Sequence, residues 1–322
     1  MAEVHRLRVD AVIEETADAR SFVLSGASFP VKPGQFLTVR AGEVARCYSL
    51  SSAPGEPLKI TVKRTPDGYG SVWMCSSLLE GMELDVLAPA GVFTPASLDG
   101  SVVAFAAGSG ITPVMSIIRS VLLQGSGRVF LFYANRDEAS VIFARELDQL
   151  ARAHPERLTV VHWLESVQGL PSVAGLRAFA RTCDEAFVCG PGPFMEAARK
   201  ALHDVAVVHV EKFVSLSSDP FSAEVVAVDD RPDAVVEVSL DGEEHRFPWP
   251  ARTKLLDLLL EKGLDAPYSC REGACSACAC RLVEGEVKML NNDVLDSEDI
   301  AEGIVLACQS VPVTDNVKIT YE

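Results

Sequence analysis

Nine cysteines occur in 322 residues, and five of them, Cys270, Cys275, Cys278, Cys280 and Cys308, fall in the last 53. Three form C-x4-C-x2-C at 270, 275 and 278, and Cys308 follows after 29 further residues. That spacing suits a plant-type [2Fe–2S] centre, in which three thiolates from one loop and a fourth from a distant segment enclose two irons. Gly273, Ala274, Ser276 and Ala277 are small, so the loop can curl tightly and aim its N–H groups at the sulfurs, where hydrogen bonds tune the potential. Two alternatives stand beside this reading. One is zinc, which normally takes cysteines as C-x2–4-C pairs and would leave Cys308 without a near partner; the other is a chance gathering of buried thiols. Cys280, on the strand leaving the loop, reads as a packed thiol rather than a ligand.

Two glycine-rich turns carry a second chemistry. Residues 106–113, Ala-Ala-Gly-Ser-Gly-Ile-Thr-Pro, follow an apolar strand and open a helical pattern. Gly108 and Gly110 allow the backbone to approach a pyrophosphate closely, and Pro113 fits a first helical position, whose N–H has no intrahelical acceptor. Pro113 stands where a full G-x-G-x-x-G has its third glycine, so an ordinary strand-to-helix turn is the alternative. The loop Cys189-Gly190-Pro191-Gly192-Pro193-Phe194-Met195 ends a later strand on the same carboxyl edge, where ligands of such sheets bind. Between them, Arg136 suits a ribose 2′-phosphate and Asp137 suits free ribose hydroxyls, which leaves NADH and NADPH both open.

The elements that must position these groups fall into three segments. Residues 1–98 show short period-two strands, RSFVL, GQFLTVR, RCYSLSS, LKITVKR and MELDVLAP, punctuated by Pro-Gly at 33–34 and 54–55 and Asp-Gly at 67–68, and predict a small antiparallel β-barrel. Residues 99–214 alternate apolar strands with amphipathic helices, from Pro113 and near 140–153 and 193–203, and predict an α/β doubly wound parallel sheet. Residues 215–232 read as a linker. Residues 233–322 begin with a hairpin turning at Asp241-Gly242. A leucine-rich helix with Thr253 as N-cap follows, then the cysteine loop and short strands, an α+β, β-grasp arrangement.

Composition narrows the function. Hydrophobic residues make up 48% and charged residues 23%, enough apolar mass for ordered domains. Lys and Arg total 29 against 45 Asp and Glu, a net charge of −16, which repels a phosphate backbone and argues against nucleic acid as a partner. No apolar run approaches the roughly 20 residues of a membrane span. The charged start MAEVHRLRVDAVIEE has no signal-peptide core, so a cytoplasmic location with reduced thiols is expected. None of the six histidines joins a catalytic constellation.

Arg46-Cys47-Tyr48-Ser49 places Arg46 and Tyr48 on one side of a strand and Ser49 on the other; alone, such a pair reads more readily as exposed surface than as a binding motif. Together with GSGITP and CGPGPFM in this order, it resembles the ferredoxin–NADP reductase superfamily, in which the R-x-Y-S strand binds flavin and the α/β domain binds the nicotinamide nucleotide. The plant-type ferredoxin segment narrows the resemblance to reductase components of bacterial oxygenases. VARCYSL, TVKRTPDGYGS, GSGITPVMSI, YANRDEASVIF, CGPGPFM, DAPYSCREGACSACAC and LACQS look most like the 3-ketosteroid 9α-hydroxylase reductases, with the phenylacetyl-CoA epoxidase reductases more distant. The resemblance implies FAD, NADH as donor with NADPH as the alternative, and electron flow through the [2Fe–2S] cluster to a terminal oxygenase of Rieske type. It implies that Arg46, Cys47, Tyr48 and Ser49 line the flavin, that Val62, Lys63 and Arg64 flank its adenine-side phosphates, and that a turn at Gly70-Ser71 closes on its pyrophosphate. Thr112 would sit near the reactive edge of the ring, with Glu211 and Phe213 by the nicotinamide. The nucleotide would lie on Gly108, Gly110, Thr112, Arg136, Cys189, Gly190 and Pro191. A redox sensor using the same cofactors without sustained turnover is the reading from a different class.

Overall fold

The computed structural model describes residues 4–205, 207–216, 219–221 and 234–321, in one unit ending at Phe213 and another beginning at Val214. The first sheet contains β1 (His5–Thr16), β2 (Ala19–Ser25), β3 (Phe36–Ala41), β4 (Val44–Ser49) and β5 (Leu58–Lys63), then α1 (Tyr69–Ser77) and β6 (Glu83–Val86). Its order is β4-β3-β6-β1-β2-β5, antiparallel throughout. An antiparallel bridge from Leu50 to Ile60 joins the two edge strands, so the sheet closes into the expected barrel. Leu7, Val9, Phe22, Leu37, Val39 and Ile60 fill it; each stabilises by roughly 1.5–3 kcal/mol relative to exposure.

Two elements here are absent from the sequence reading. Strand β1 alternates buried Leu7 and Val9 with exposed Arg6, Arg8 and Asp10, a period-two pattern masked by its charge. Helix α1 replaces the predicted turn at Gly70-Ser71, which lie in its first turn. Its glycine and three serines disfavour a helix locally, but Met74 and Cys75 are buried against the barrel. Gly70 permits that packing, because a Cβ there would stand 2.8 Å from Arg46 Cγ.

The second sheet is parallel, with β7 (Ser101–Ala107), α2 (Ile111–Gln124), β8 (Arg128–Asn135), α3 (Ala144–Ala153), β9 (Leu158–Leu164), α4 (Glu165–Gln168), α5 (Val173–Arg177), β10 (Glu185–Cys189), α6 (Gly192–Ala201) and β11 (Val208–Glu211). Its order is β11-β10-β7-β8-β9. Ile117, Val121 and Leu147 cover one face, Leu176, Ala198 and Leu202 the other, as a doubly wound sheet requires. The chain starts at β7, leaves through β8 and β9, and returns on the far side at β10. The carboxyl ends of β7 and β10 therefore flank the switch point where ligands bind in such sheets. Pro113 is the third residue of α2 rather than the first, still within the turn whose N–H groups lack intrahelical acceptors. Helix α3 starts later than expected, after Phe143 in a left-handed conformation (φ 60°).

The second unit contains β12 (Ala234–Leu240), β13 (Glu243–Trp249), α7 (Leu255–Glu261), β14 (Ala279–Glu284), β15 (Val287–Met289), α8 (Ser297–Ala301), β16 (Ile304–Leu306), β17 (Ser310–Pro312) and β18 (Asn316–Thr320). The mixed sheet runs β13-β12-β18-β14-β16, with α7 burying Leu255, Leu256, Leu258 and Leu259 in the shared core. Lys254, not Thr253, occupies the N-cap of α7; the Thr253 carbonyl instead accepts a hydrogen bond from Trp249 Nε1 at 2.7 Å. The connector read over 215–232 falls mostly outside the described residues. Among the described residues, no helix is long and apolar enough to cross a membrane.

Candidate functional site

The cysteine loop runs from residue 270 to 278, between α7 and β14. Its curl needs three left-handed residues, Gly273 at φ 84° and the non-glycine Arg271 and Ser276 at φ 60° and 53°. Such conformations cost about 1–2 kcal/mol in a residue with a Cβ, and they persist where surrounding structure holds them. Here Gln309 Nε2 donates to the Arg271 carbonyl at 2.8 Å, and the Arg271 guanidinium pairs with Asp257 of α7. Gly273 is required for space as well, since a Cβ would lie 2.8 Å from the Asn291 carbonyl oxygen.

The curl aims amide protons at sulfur. Glu272 and Ala274 N–H donate to Cys270 Sγ at 3.5 and 3.3 Å, Cys270 N–H to Cys275 Sγ at 3.4 Å, and Cys308 N–H to Cys278 Sγ at 3.4 Å. Cys270, Cys278 and Cys308 are buried and Cys275 is partly exposed. The thiols touch edge to edge: Cys270 neighbours Cys275 and Cys308, and Cys308 neighbours Cys278. Four thiols, three from one loop and one from a distant segment, are the donor set that two bridged irons take. The Cys275 and Cys308 thiols, and beyond them the two loop N–H groups, push the Cys270 thiol down. Hydrogen bonds to sulfur favour the thiolate that iron requires. Cys280 points into the core with Sγ 3.7 Å from the Val305 carbonyl, and burial pushes its thiol up, as a packed cysteine should behave.

On the parallel sheet, the two glycine-rich turns touch each other. A Cβ on Gly110 would fall 2.1 Å from the Cys189 carbonyl oxygen, and one on Gly190 would fall 2.9 Å from Ala107 Cβ. These two glycines are therefore small because the turns pack together, a reason independent of any ligand. Gly108 differs: it has φ 54°, and the nearest atom to its Cβ position is Lys63 Nζ at 3.8 Å. Thr112 is buried and donates to the Ser109 carbonyl at 3.0 Å. Cys189 is fully buried in the core, so it offers this edge only backbone, whereas Pro191 is exposed at the N-cap of α6. Asp137 caps a short turn, its Oδ1 accepting Ser140 N–H at 2.9 Å. Arg136 is 65% exposed and lies 3.4 Å from Asp18 Oδ2.

On the barrel, β4 places Arg46 and Tyr48 opposite Val39 and Leu37 of β3, and Cys47 opposite Thr38. Ser49 Oγ donates to Glu211 Oε1 at 2.9 Å, joining the R-x-Y-S strand to the end of β11. Burial pushes the Glu211 carboxyl up to about 7, partly offset by the Ser49 hydrogen bond. Phe213, two residues on, is 51% exposed, unusual for a large apolar ring. The Val62 side chain points into the barrel core, which leaves only its backbone for a ligand, while Lys63 and Arg64 reach outward. Lys63 Nζ lies 3.8 Å from the Cβ position of Gly108, beside the first glycine-rich turn. Ser71 Oγ is engaged, donating to the Gly68 carbonyl and accepting from Thr65 N–H. Asp18 and Asp257, which hold the cations of these sites, have no sequence signal beyond a turn position and a helix position.

Two family models match the chain: the 2Fe-2S iron-sulfur cluster binding domain over residues 238–313 and the oxidoreductase NAD-binding domain over residues 105–200. The first spans all four cysteines and decides between iron–sulfur and zinc. The ferredoxin reductase component of the 3-ketosteroid-9-alpha-monooxygenase of Rhodococcus rhodochrous is 55% identical, over 98% of this chain and 96% of that protein. A component of the 1,2-phenylacetyl-CoA epoxidase of Escherichia coli is 31% identical, over 100% of this chain and 99% of that one. Among solved structures, phthalate dioxygenase reductase has a similar fold, with a TM-score of 0.60 over 98% of each chain at 23% identity.

Proposed function

This chain belongs to the family of ferredoxin reductase components of multicomponent oxygenases, and from that premise we propose that it holds FAD on the barrel, takes NADH on the parallel sheet and delivers electrons to a Rieske-type terminal oxygenase acting on a 3-ketosteroid. The four-thiol cradle with its inward N–H groups carries the reading. Identity of 55% to the steroid reductase against 31% to the epoxidase component favours the steroid pathway. Reduced thiols suit a cytoplasmic site.

A flavin supplies an acceptor for hydride that releases electrons singly to a [2Fe–2S] centre, which takes one at a time. The residues of the chain position, shield and tune. Arg46 and Tyr48 from one face of β4, and Cys47 and Ser49 from the other, would line and orient the flavin, and the outward Lys63 and Arg64 with the N–H groups near Gly70 and Ser71 would oppose phosphate charge. The N–H groups of the turn leading into α2, at Gly108 and Gly110, would receive the nucleotide pyrophosphate beside Lys63. Ser49 and Glu211 share a hydrogen bond at the junction of barrel and sheet, where a flavin ring and a nicotinamide would come together; Thr112 stiffens the neighbouring turn, and Phe213 would shield the site from water. Gly190 and Pro191 border the nicotinamide side, and Cys270, Cys275, Cys278 and Cys308 ligate the irons.

Anaerobically purified protein should be yellow-brown, contain iron and acid-labile sulfide, and reduce cytochrome c with NADH through many turnovers. Protein free of labile sulfide, or a single turnover only, would end the relay reading.

A further inference from the structure

Asp18 sits on the short turn between β1 and β2, and the structure fixes it closely. Its carbonyl accepts the Arg64 N–H at 2.7 Å, its own N–H donates to Thr16 Oγ1 at 3.3 Å, and its Oδ1 accepts the Thr16 hydroxyl at 2.8 Å. The remaining oxygen, Oδ2, faces two cations: Arg136 Nη2 at 3.4 Å and Lys63 Nζ at 3.9 Å. Both belong to the nucleotide edge, since Lys63 Nζ stands over Gly108 and Arg136 follows the end of β8.

We propose that Asp18 makes this chain select a nicotinamide nucleotide with a free ribose 2′-hydroxyl over one carrying a 2′-phosphate, by engaging the guanidinium that would otherwise receive that phosphate. The proposal rests on reading this sheet edge as the nucleotide site. A phosphate monoester carries about −1.5 to −2 charges and seeks the planar fork of an arginine. Arg136 already faces an anion, and an incoming phosphate would meet that carboxylate as a like charge. A hydroxyl meets no such opposition. The other acid at this edge, Asp137, has Oδ1 committed to Ser140, and its charge also acts on Arg136, in the same sense as that of Asp18. With Arg136 65% exposed, the Asp18 pair adds little stability, so its consequence lies in which ligand it admits. Sequence alone reads Arg136 as a signal for 2′-phosphate; the carboxylate that reverses it comes from 118 residues away in the barrel.

The test is Asp18→Asn in the full-length holoprotein, which keeps an acceptor for the Thr16 hydroxyl and removes the charge. Adenosine 2′,5′-bisphosphate and AMP are titrated calorimetrically into both forms, with flavin absorbance confirming that each is folded and loaded. The bisphosphate should bind about tenfold tighter to the variant while AMP changes by less than about twofold, and the NADPH to NADH ratio of kcat/KM should rise by a similar factor. Adding Arg136→Ala to Asp18→Asn should cancel the gain. A bisphosphate gain below about threefold, one matched by AMP, or one that survives Arg136→Ala, overturns the proposal while leaving the nucleotide site standing. If AMP binds neither form, the nucleotide-site reading falls and the proposal with it.

Discussion

The cysteine loop and the glycine-rich turns both spend small residues on a tight backbone, but for different reasons. In the loop, Gly273, Ala274 and Ala277 serve the sulfurs, because the curl they allow delivers N–H groups to Cys270. In the turns, Gly110 and Gly190 serve each other, whereas Gly108 and Gly192 have open space before them. A cysteine pattern names its chemistry directly, since thiolate is itself the ligand. A glycine pattern names only a close approach, and what approaches can be protein.

The sharpest break of that comparison is Cys278→Ser against Cys280→Ser. The first should lower cytochrome c reduction by about a hundredfold while ferricyanide reduction, served by the flavin, stays within about twofold. The second removes a packed thiol and should leave both activities intact, with a small loss of Tm. Equal losses of both acceptors in Cys278→Ser would refute the relay.

Next in size is Gly110→Ala. Its methyl would collide with the Cys189 carbonyl, so stability should fall by about 3 kcal/mol, the upper end for overpacking. Gly108→Ala should cost only about 1 kcal/mol for its left-handed backbone, yet raise KM for NADH. Thermal melts and NADH titrations of the pair separate protein packing from ligand approach; similar melts for both would erase the distinction.

Glu211→Gln tests the junction of barrel and sheet. The Glu211 pKa rises from 4.5 to about 7 in the folded chain, so between those values the folded state binds more protons than the unfolded one. Stability should therefore fall as pH rises through that window, with the full cost present above about pH 7. The variant should melt higher than the parent by a margin that grows from about pH 4.5 to about pH 7 and then levels off. A constant margin would deny the shift.

The smallest effect concerns the surface. With a net charge of −16, transfer to the oxygenase should slow severalfold between about 50 and 300 mM salt, whereas ferricyanide reduction within the reductase should not show partner-docking loss.

The gathering of Cys270, Cys275, Cys278 and Cys308, the order of barrel, doubly wound sheet and ferredoxin-like tail, and most strands could be read from residue types and spacing. Helix α1 could not, because its local propensity opposes a helix and only burial of Met74 and Cys75 against the barrel supports it. Nor could the inward turn of Val62, the reach of Lys63 to Gly108, or the commitment of Asp137 to its cap.

What the chain determined by sequence alone is the chemistry of side chains that act through identity at short range, above all three thiolates in one loop with a fourth downstream. What tertiary structure decided is every partnership across long separation: Ser49 with Glu211, Gly110 with Cys189, Asp18 with Arg136. Coulombic and packing energies depend on distance in space, and that distance exists only once the sheets are built.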